Sequence, residues 1–272
     1  MIKVSFISPT SLVEQYGNQG DIHLVLSHLL DEENVNDYEA KLRLSGKPLF
    51  LDNGLYENKT PEGVESLIKK ALRIDAEYFF APDFLYDREA TEKSIDTTWE
   101  AIEKHKSQLG RFSKTKLAAV VQADNDTDYI ESYKKFVADP RISLIGLSIL
   151  SVPKSFQRRS PSTTEISRLR MTALSILNEL PQHKDSHLLG AGSSYEDVAY
   201  AEVFCPWVVS HDSSSAVWNG IQGKKINIGN LSVEGGKTPI PVDFDWDESL
   251  SEQQQENIQH NINIILKETG HK

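Results

Sequence analysis

The sequence has little cysteine and no long hydrophobic run, and both scarcities narrow the classes of protein it can encode. Cys205 is the single cysteine among 272 residues, which excludes an internal disulfide and a zinc site built from several cysteines. This fits a reducing compartment, so we predict a cytoplasmic protein. The longest apolar runs are strand-sized, far short of the roughly 20 residues that span a bilayer. The N-terminal segment MIKVSFIS lacks a long apolar core and a small-residue cleavage site. We therefore predict no signal peptide and no membrane partner.

Basic residues are in the minority. Lysine and arginine number 29 against 40 aspartates and glutamates, a formal net charge of -11. Non-specific binding to nucleic acid depends mainly on lysine and arginine, so this balance argues against a protein that coats nucleic acid. It leaves room for a nucleic-acid enzyme with a local basic site. One basic cluster lies in VPKSFQRRSPSTTEISRLR and comprises Lys154, Arg158, Arg159, Arg168 and Arg170. On charge alone, a solvated loop and helix face explains this cluster equally well.

Short apolar runs alternate with helix-like segments along most of the chain. Cap residues followed by acids, such as Thr60-Pro61-Glu62, precede the amphipathic segments, as expected at helix starts. The apolar runs are near-continuous, which is typical of a parallel sheet covered on both faces. They are Lys3–Ser8, Pro48–Leu51, Tyr78–Ala81, Leu117–Gln122, Ser143–Leu150, His187–Gly190, Trp207–Ser210 and Lys225–Ile228. Eight such units predict an α/β fold, a single (β/α)8 TIM-type barrel.

The predicted barrel carries irregular insertions. The segment NQGDIHLVLSHLLDEENVNDYEAKLRLSGK extends the first unit, and the loop after the fifth strand is long. Residues 230–272 are predicted to form a C-terminal wrap and a helix from about Glu252 to Glu268. Because no segment has the composition of a linker, we predict one domain over residues 1–272.

Polar residues and glycines close several of the predicted strands. In a barrel of this kind, chemistry collects at the carboxyl ends of the strands. The residues that fall there are Asp52, Asp83, Gln122, Gly146, Gly190, Gly192 and Asp212. Singly, each aspartate could be a helix cap or turn residue, and Gln122 an ordinary loop residue. Jointly they predict three carboxylates, an amide and two glycine turns around one mouth.

The histidines do not form a pattern typical of a metal site. His183 and His187 have a helical spacing but straddle a break between elements. His211, beside Asp212, fits either tuning of that carboxylate or simple packing. With one cysteine and no histidine-rich cluster, we predict no metal site and no cofactor.

Convergent carboxylates suit chemistry at a glycosidic bond. One ionised aspartate can attack an anomeric carbon and hold a covalent glycosyl intermediate, while a second manages the proton on the departing group. A third can accept hydrogen bonds from the N1-H and exocyclic amine of a guanine-like ring, while an amide or backbone N–H donates to the ring carbonyl. These three roles together are the ones that a base-exchange reaction requires.

Five segments resemble, in order, those of the tRNA-guanine transglycosylases. LDNGLYE at 51–57 resembles their Asp-Ser-Gly-Gly/Ala-Phe-Gln element, VVQ at 120–122 their Val-Gln-Gly, and IGLSI at 145–149 their Gly-Gly-Leu-Ser-Val. HLLGAGSSYEDV at 187–198 is similar to their Leu-Met-Gly-Val-Gly-Thr-Pro-Glu-Asp, and VSHDSSSAVWNG at 209–220 falls where their nucleophile segment falls. The Asp-Asn-Gly form, the Ala-Pro-Asp element and the compact length look more like the phage and bacterial branch that inserts 7-deazaguanines into DNA.

The resemblance implies a role for each strand-end residue. Asp212 would be the nucleophile at the sugar C1′ and Asp52 the general acid/base. Asp83 would read the guanine edge, Gln122 and the backbone of Gly146 would contact the base carbonyl, and the turn from Gly190 to Gly192 would line the pocket. The chain departs from the tRNA enzymes in lacking their cysteine-rich zinc subdomain, and in Ser-Ser-Ser after Asp212.

The implied reaction is replacement of guanine in duplex DNA by a free 7-deazaguanine, such as the 7-cyano form, in the cytoplasm of the host if a phage encodes the chain. Lys154, Arg158 and Arg159 would contact phosphates, and accessory proteins are possible partners. Three alternatives stay open: a tRNA-guanine transglycosylase, a non-catalytic nucleic-acid-binding accessory on the same barrel, and a phosphosugar-handling barrel that uses the glycines of IGNLSVEGG.

Overall fold

Eight parallel strands form a nearly closed barrel, surrounded by helices, in a computed structural model that describes residues 1–31, 35–109, 114–157, 165–236, 238 and 240–271. The strands are β1 Lys3–Phe6, β2 His23–Val25, β3 Leu49–Leu51, β4 Tyr78–Phe80, β5 Lys116–Val120, β6 Ile142–Ser148, β7 Ser186–Leu189 and β8 Val208–Ser213. The helices are α1 Val35–Ser45, α2 Leu55–Asn58, α3 Val64–Arg73, α4 Arg88–Leu109, α5 Asp126–Ala138, α6 Val152–Phe156, α7 Ile166–Asn178, α8 Glu196–Phe204, α9 Ser215–Ile221 and α10 Glu252–Glu268. The predicted α/β barrel is confirmed.

The sheet runs in the order β1-β8-β7-β6-β5-β4-β3-β2, and all of its ladders are parallel. The seam between β1 and β2 lacks a regular ladder, but several hydrogen bonds cross it. The N–H of Ile22 donates to the Val4 carbonyl at 3.3 Å, and the N–H of Leu24 donates to Ser5 Oγ at 2.8 Å. The carboxyl ends of all eight strands therefore surround one mouth.

One predicted strand was wrong and one strand of the barrel was missed, although the number of strands was right. β2 lies inside the segment predicted as an insertion, where its three residues give too short an apolar run to stand out. Lys225–Ile228 is not a barrel strand: Ile226 forms only an isolated bridge with Val233, and Ile228 is 65% exposed. β8 already pairs with β1, so the barrel has no place for a further strand. Asp212 consequently lies on the eighth strand, not the seventh.

Apolar side chains pack on both faces of the barrel wall. The inner cluster comprises Ile22, Leu24, Phe50, Phe80, Ala118, Val120 and Leu144. A larger outer cluster lies between the strands and the helices. This two-sided burial explains the near-continuous apolar runs of the sequence.

The C-terminal helix α10 begins where the sequence predicts it and packs against α9. Ser251 caps its first turn in a reciprocal pair with Gln254. A Cβ on Gly220 of α9 would lie 2.5 Å from Ile258 Cγ1 and 2.8 Å from the Ile258 backbone, so only glycine permits this approach. Within the described ranges, no helix combines the length and apolar character needed to cross a membrane.

Candidate active site

Buried polar side chains converge at the carboxyl ends of the strands. Asp52 follows β3, Asp83 follows β4, Gln122 follows β5 and Asp212 lies near the end of β8. Asp83, Gln122 and Asp212 are 3%, 1% and 3% exposed, while Asp52 is half-buried. The charges of Asp83 and Asp212 both act on Asp52, as expected for groups that share one mouth.

Asp83 is held by two amides. Asn53 Nδ2 donates to its Oδ1 at 2.6 Å, and Gln122 Nε2 donates to its Oδ2 at 2.6 Å. The backbone N–H of Tyr86 donates to Gln122 Oε1 at 3.1 Å, which requires the Gln122 oxygen on that side and its N–H groups toward Asp83. Burial raises the pKa of Asp83 to about 6, against the lowering effect of these two hydrogen bonds.

Asp212 is held through one of its two oxygens. His187 Nε2 lies 2.9 Å from Asp212 Oδ1, and the N–H of Gly190 donates to the same oxygen at 3.1 Å. On the other side of the ring, His187 Nδ1 lies 2.7 Å from Ser210 Oγ. An Nε2-H tautomer satisfies both contacts, because Nδ1 then accepts from the serine hydroxyl. Asp212 Oδ2 receives no hydrogen bond from the described residues, which leaves it available to attack.

The turn that contacts Asp212 is itself fastened by a buried arginine. Gly190 has a φ of +70°, a conformation that favours glycine. Arg170, fully buried on α7, donates from Nη2 to the Gly190 carbonyl at 2.8 Å and from Nη1 to the Leu189 carbonyl at 3.0 Å. Its Nε donates to Asp197 Oδ2 at 2.6 Å. Arg170 thus fixes the end of β7 from outside the barrel.

The surroundings of Asp52 favour its protonated form. Burial, followed by the charge on Glu57, raises the pKa of Asp52 to about 8, against a 2.9 Å hydrogen bond from the Gly54 N–H. Burial also raises the pKa of Glu57, and the charge of Asp212 adds to this effect. At neutral pH, Asp52 is therefore protonated and can act as an acid.

The predicted glycines differ in their surroundings. Gly190 contacts Asp212 directly, as described above. Gly146 lies within β6, where a Cβ would come 2.8 Å from Leu189 Cδ1 and 3.0 Å from Phe80 Cε1. Gly192 faces the start of α7, with Glu165 Oε1 3.4 Å from where its Cβ would lie, so it is turned away from the carboxylates.

The described members of the basic cluster have different surroundings in the structure. Lys154 is 53% exposed at the mouth, with Nζ 5.0 Å from the centroid of the Tyr86 ring. Arg158 and Arg159 lie outside the described residues. Arg168 pairs with Glu196, with Nε 3.0 Å from Oε2, and Arg170 is buried. Arg170 faces the barrel and not the solvent, so this member of the cluster is not placed to contact a phosphate.

Four residues of this site were missed by the sequence reasoning: Asn53, Glu57, Arg170 and His187. Arg170 shares helical spacing with Ile166, Ala173 and Leu177, which is a signal for the buried face of α7. In the sequence, His187 was considered only as a metal ligand, through its spacing from His183. His211 is fully buried with its ring against Tyr195, 6.2 Å between centroids, and burial lowers its pKa to about 4. It packs outside the barrel, opposite in direction to Asp212, as strand alternation requires.

Within one mouth, the arrangement can supply a nucleophile, an acid and a carboxylate that accepts hydrogen bonds from N–H donors of a ligand. Among the residues described, no group of three or more histidine, cysteine, aspartate or glutamate side chains is arranged to hold a metal ion. A cavity of about 420 Å³ lies at the opposite end of the barrel, lined by residues such as Lys3, Tyr78, Glu202 and Val208. We assign the site to the carboxylate mouth, since the amino-terminal face of such barrels serves stability.

Comparison with models of known families gives no match to this chain. Comparison with curated proteins likewise gives no significant match. The resemblance to the transglycosylases therefore stays a prediction carried by five short segments and by the arrangement of the side chains.

Proposed function

We propose that the chain is a base-exchange glycosyltransferase that replaces guanine in duplex DNA by a free 7-deazaguanine through a covalent aspartyl-glycosyl intermediate. The observation that carries the proposal is the pairing of Asp212, held through Oδ1 by two N–H donors, with Asp52, whose pKa is raised to about 8. Two carboxyl groups at one mouth, one with its pKa raised by burial and the other oriented by two N–H donors, provide the acid and the nucleophile of a glycosyl transfer.

In the first half-reaction, Asp212 Oδ2 attacks C1′ of the nucleotide. The bond from C1′ to N9 breaks, its electron pair leaves with the guanine, and the proton of Asp52 neutralises the departing base. In the second half-reaction, the Asp52 carboxylate takes the N9 proton of the incoming base. N9 then attacks C1′ and releases Asp212, so the enzyme returns to its starting protonation state.

Asp83 is the group that distinguishes a guanine-like base. Each of its oxygens accepts one amide N–H from the protein, and a carboxylate oxygen has a second lone pair. The two remaining sites match the N1-H and the exocyclic amine of guanine, which a 7-deazaguanine shares. Gln122 retains one N–H for the base carbonyl.

The test is release of guanine from duplex DNA labelled in its guanines, with and without 7-cyano-7-deazaguanine, and with labelled tRNA in parallel. We expect release from DNA that depends on the added base. Without that base, a DNA-protein adduct should survive a denaturing gel. Asp212→Asn should lose both signals and keep its melting temperature.

Exchange on tRNA alone would select the tRNA enzyme, and DNA binding with no exchange would select the accessory protein. We expect the reaction in the cytoplasm, or in the cytoplasm of the host if a phage encodes the chain. Lys154, together with Arg158 and Arg159, remains the proposed contact to phosphates.

A further inference from the structure

The loop between β4 and α4 exposes two large apolar side chains at the mouth. Its first residues are buried up to Asp83, which is 3% exposed, whereas Phe84 and Leu85 are 37% and 40% exposed. Adjacent exposed apolar groups that are rimmed by polar residues can mark an interaction site. These two residues directly follow the carboxylate that we propose reads the base.

Hydrogen bonds hold the loop in this conformation. The N–H of Phe84 donates to Thr91 Oγ1 at 2.9 Å. Tyr86 has a φ of +66°, an unfavourable conformation for a bulky residue. It is retained by two contacts, from its N–H to Gln122 Oε1 at 3.1 Å and from its hydroxyl to the Leu150 carbonyl at 2.9 Å. The apolar tip is therefore fixed to the same glutamine that fixes Asp83.

A cation lies beside this tip. Lys154 Nζ is 5.0 Å from the centroid of the Tyr86 ring and 4.0 Å from Asp124 Oδ2, and the lysine side chain is 53% exposed. An apolar tip next to a positive charge is complementary to the stacked bases and phosphates of a nucleic acid.

We propose that Phe84 and Leu85 form a wedge that enters the base stack of duplex DNA when the target guanine turns out toward Asp83. The inference rests on the proposed function. A base that leaves the duplex opens a gap, and unstacking costs free energy. Apolar side chains that fill the gap recover part of this cost, as in DNA-bending proteins that insert such wedges. A single-stranded target needs no such help.

The test compares exchange on linear duplex DNA with exchange on the same DNA after heat denaturation, so no target sequence has to be known. The variant carries Phe84→Ala and Leu85→Ala, and the control is Phe204→Ala, an equally simple change of a 54% exposed residue on α8. We expect the wedge variant to lose about 10- to 100-fold on the duplex and less than about twofold on the denatured DNA. The control should match the wild type on both.

Equal losses on the two substrates would indicate a role in the pocket and overturn the wedge, as would no loss on the duplex. If the wild type exchanged guanine on denatured DNA but not on the duplex, the wedge would also be overturned, whereas the proposed chemistry would stand. If the wild type exchanged guanine on neither substrate, the proposed function and the wedge would be overturned together.

Discussion

Replacing His187 by phenylalanine tests whether Asp212 is the reacting group. The substitution removes the contact from Nε2 to Asp212 Oδ1, 2.9 Å long between side chains that are 0% and 5% exposed. The ring keeps its place, because His187 packs 5.7 Å from Phe50 and 5.9 Å from Phe80 between centroids. A phenylalanine there joins an existing aromatic group.

The expected loss follows from the position that this hydrogen bond fixes. The contact with His187 orients Asp212, and a displacement of about 1 Å at a reacting group costs on the order of 100-fold in rate. We therefore expect kcat/KM for guanine exchange to fall about 10- to 100-fold. Gly190 still donates to Asp212, so activity should not vanish.

The effect of the substitution on folding stability has to be separated from its effect on exchange. His187→Phe also leaves the buried hydroxyl of Ser210 without its partner, at a cost of about 1–3 kcal/mol. Adding Ser210→Ala should recover the part of the free energy of unfolding that is lost at Ser210, measured in urea, without restoring kcat/KM. The matched control is His183→Phe, at the opposite end of the barrel, where the ring stacks on Trp207 with centroids 5.0 Å apart. It should leave exchange unchanged.

If the folded double variant exchanged guanine within twofold of the wild type, the reasoning would be refuted. Asp212 would then not depend on its buried donor, and the nucleophile would have to be sought elsewhere at the mouth.

Three further outcomes are expected. The pH profile of kcat/KM should be bell-shaped: it should fall below about 6, where Asp83 takes up a proton and can no longer accept both N–H groups, and above about 8, where Asp52 loses the proton it must donate. Arg170→Met should lower the free energy of unfolding by about 3–5 kcal/mol, since it leaves a buried carboxylate unpaired; a loss under 1 kcal/mol in urea would contradict this. Gly220→Ala should destabilise by about 1–3 kcal/mol through overpacking, whereas Gly229→Ala, which has nothing within 4 Å of its added Cβ, should shift the melting temperature little.

The architecture and the positions of the strand-end carboxylates could be predicted because each depends on local pattern. Apolar runs that stop at a polar residue identify Asp52 and Asp83 without any knowledge of the sheet. β2 could not be found in this way, since its burial depends on neighbouring strands and not on its own length. Lys225–Ile228 was predicted as a strand for a related reason: whether an apolar run joins the barrel depends on its tertiary context, which the local pattern does not show.

The hydrogen-bond partners of the carboxylates could be identified only from the register of the sheet. His187 lies opposite Ser210 across the β7–β8 ladder, and only this pairing brings its ring next to Asp212, two residues further along β8. Arg170 appears basic in the sequence, yet its helical spacing places it on the apolar face of α7. A charged residue at such a spacing predicts a buried ion pair, and Asp197 is that partner.

The hydrogen bonds of the mouth also weigh against a phosphorylated ligand. In such barrels a phosphate is bound by free N–H groups in the loops after the last two strands. Here the N–H of Gly190 is used by Asp212, and that of Ser215 by Ser213 Oγ at 2.9 Å. Within the described part of the chain, no lysine or arginine side chain hydrogen-bonds to the three mouth aspartates. A phosphate would therefore face three carboxyl groups with few donors, whereas a neutral purine offers its own N–H donors to them. The same aspartates that disfavour a phosphate thus favour a base.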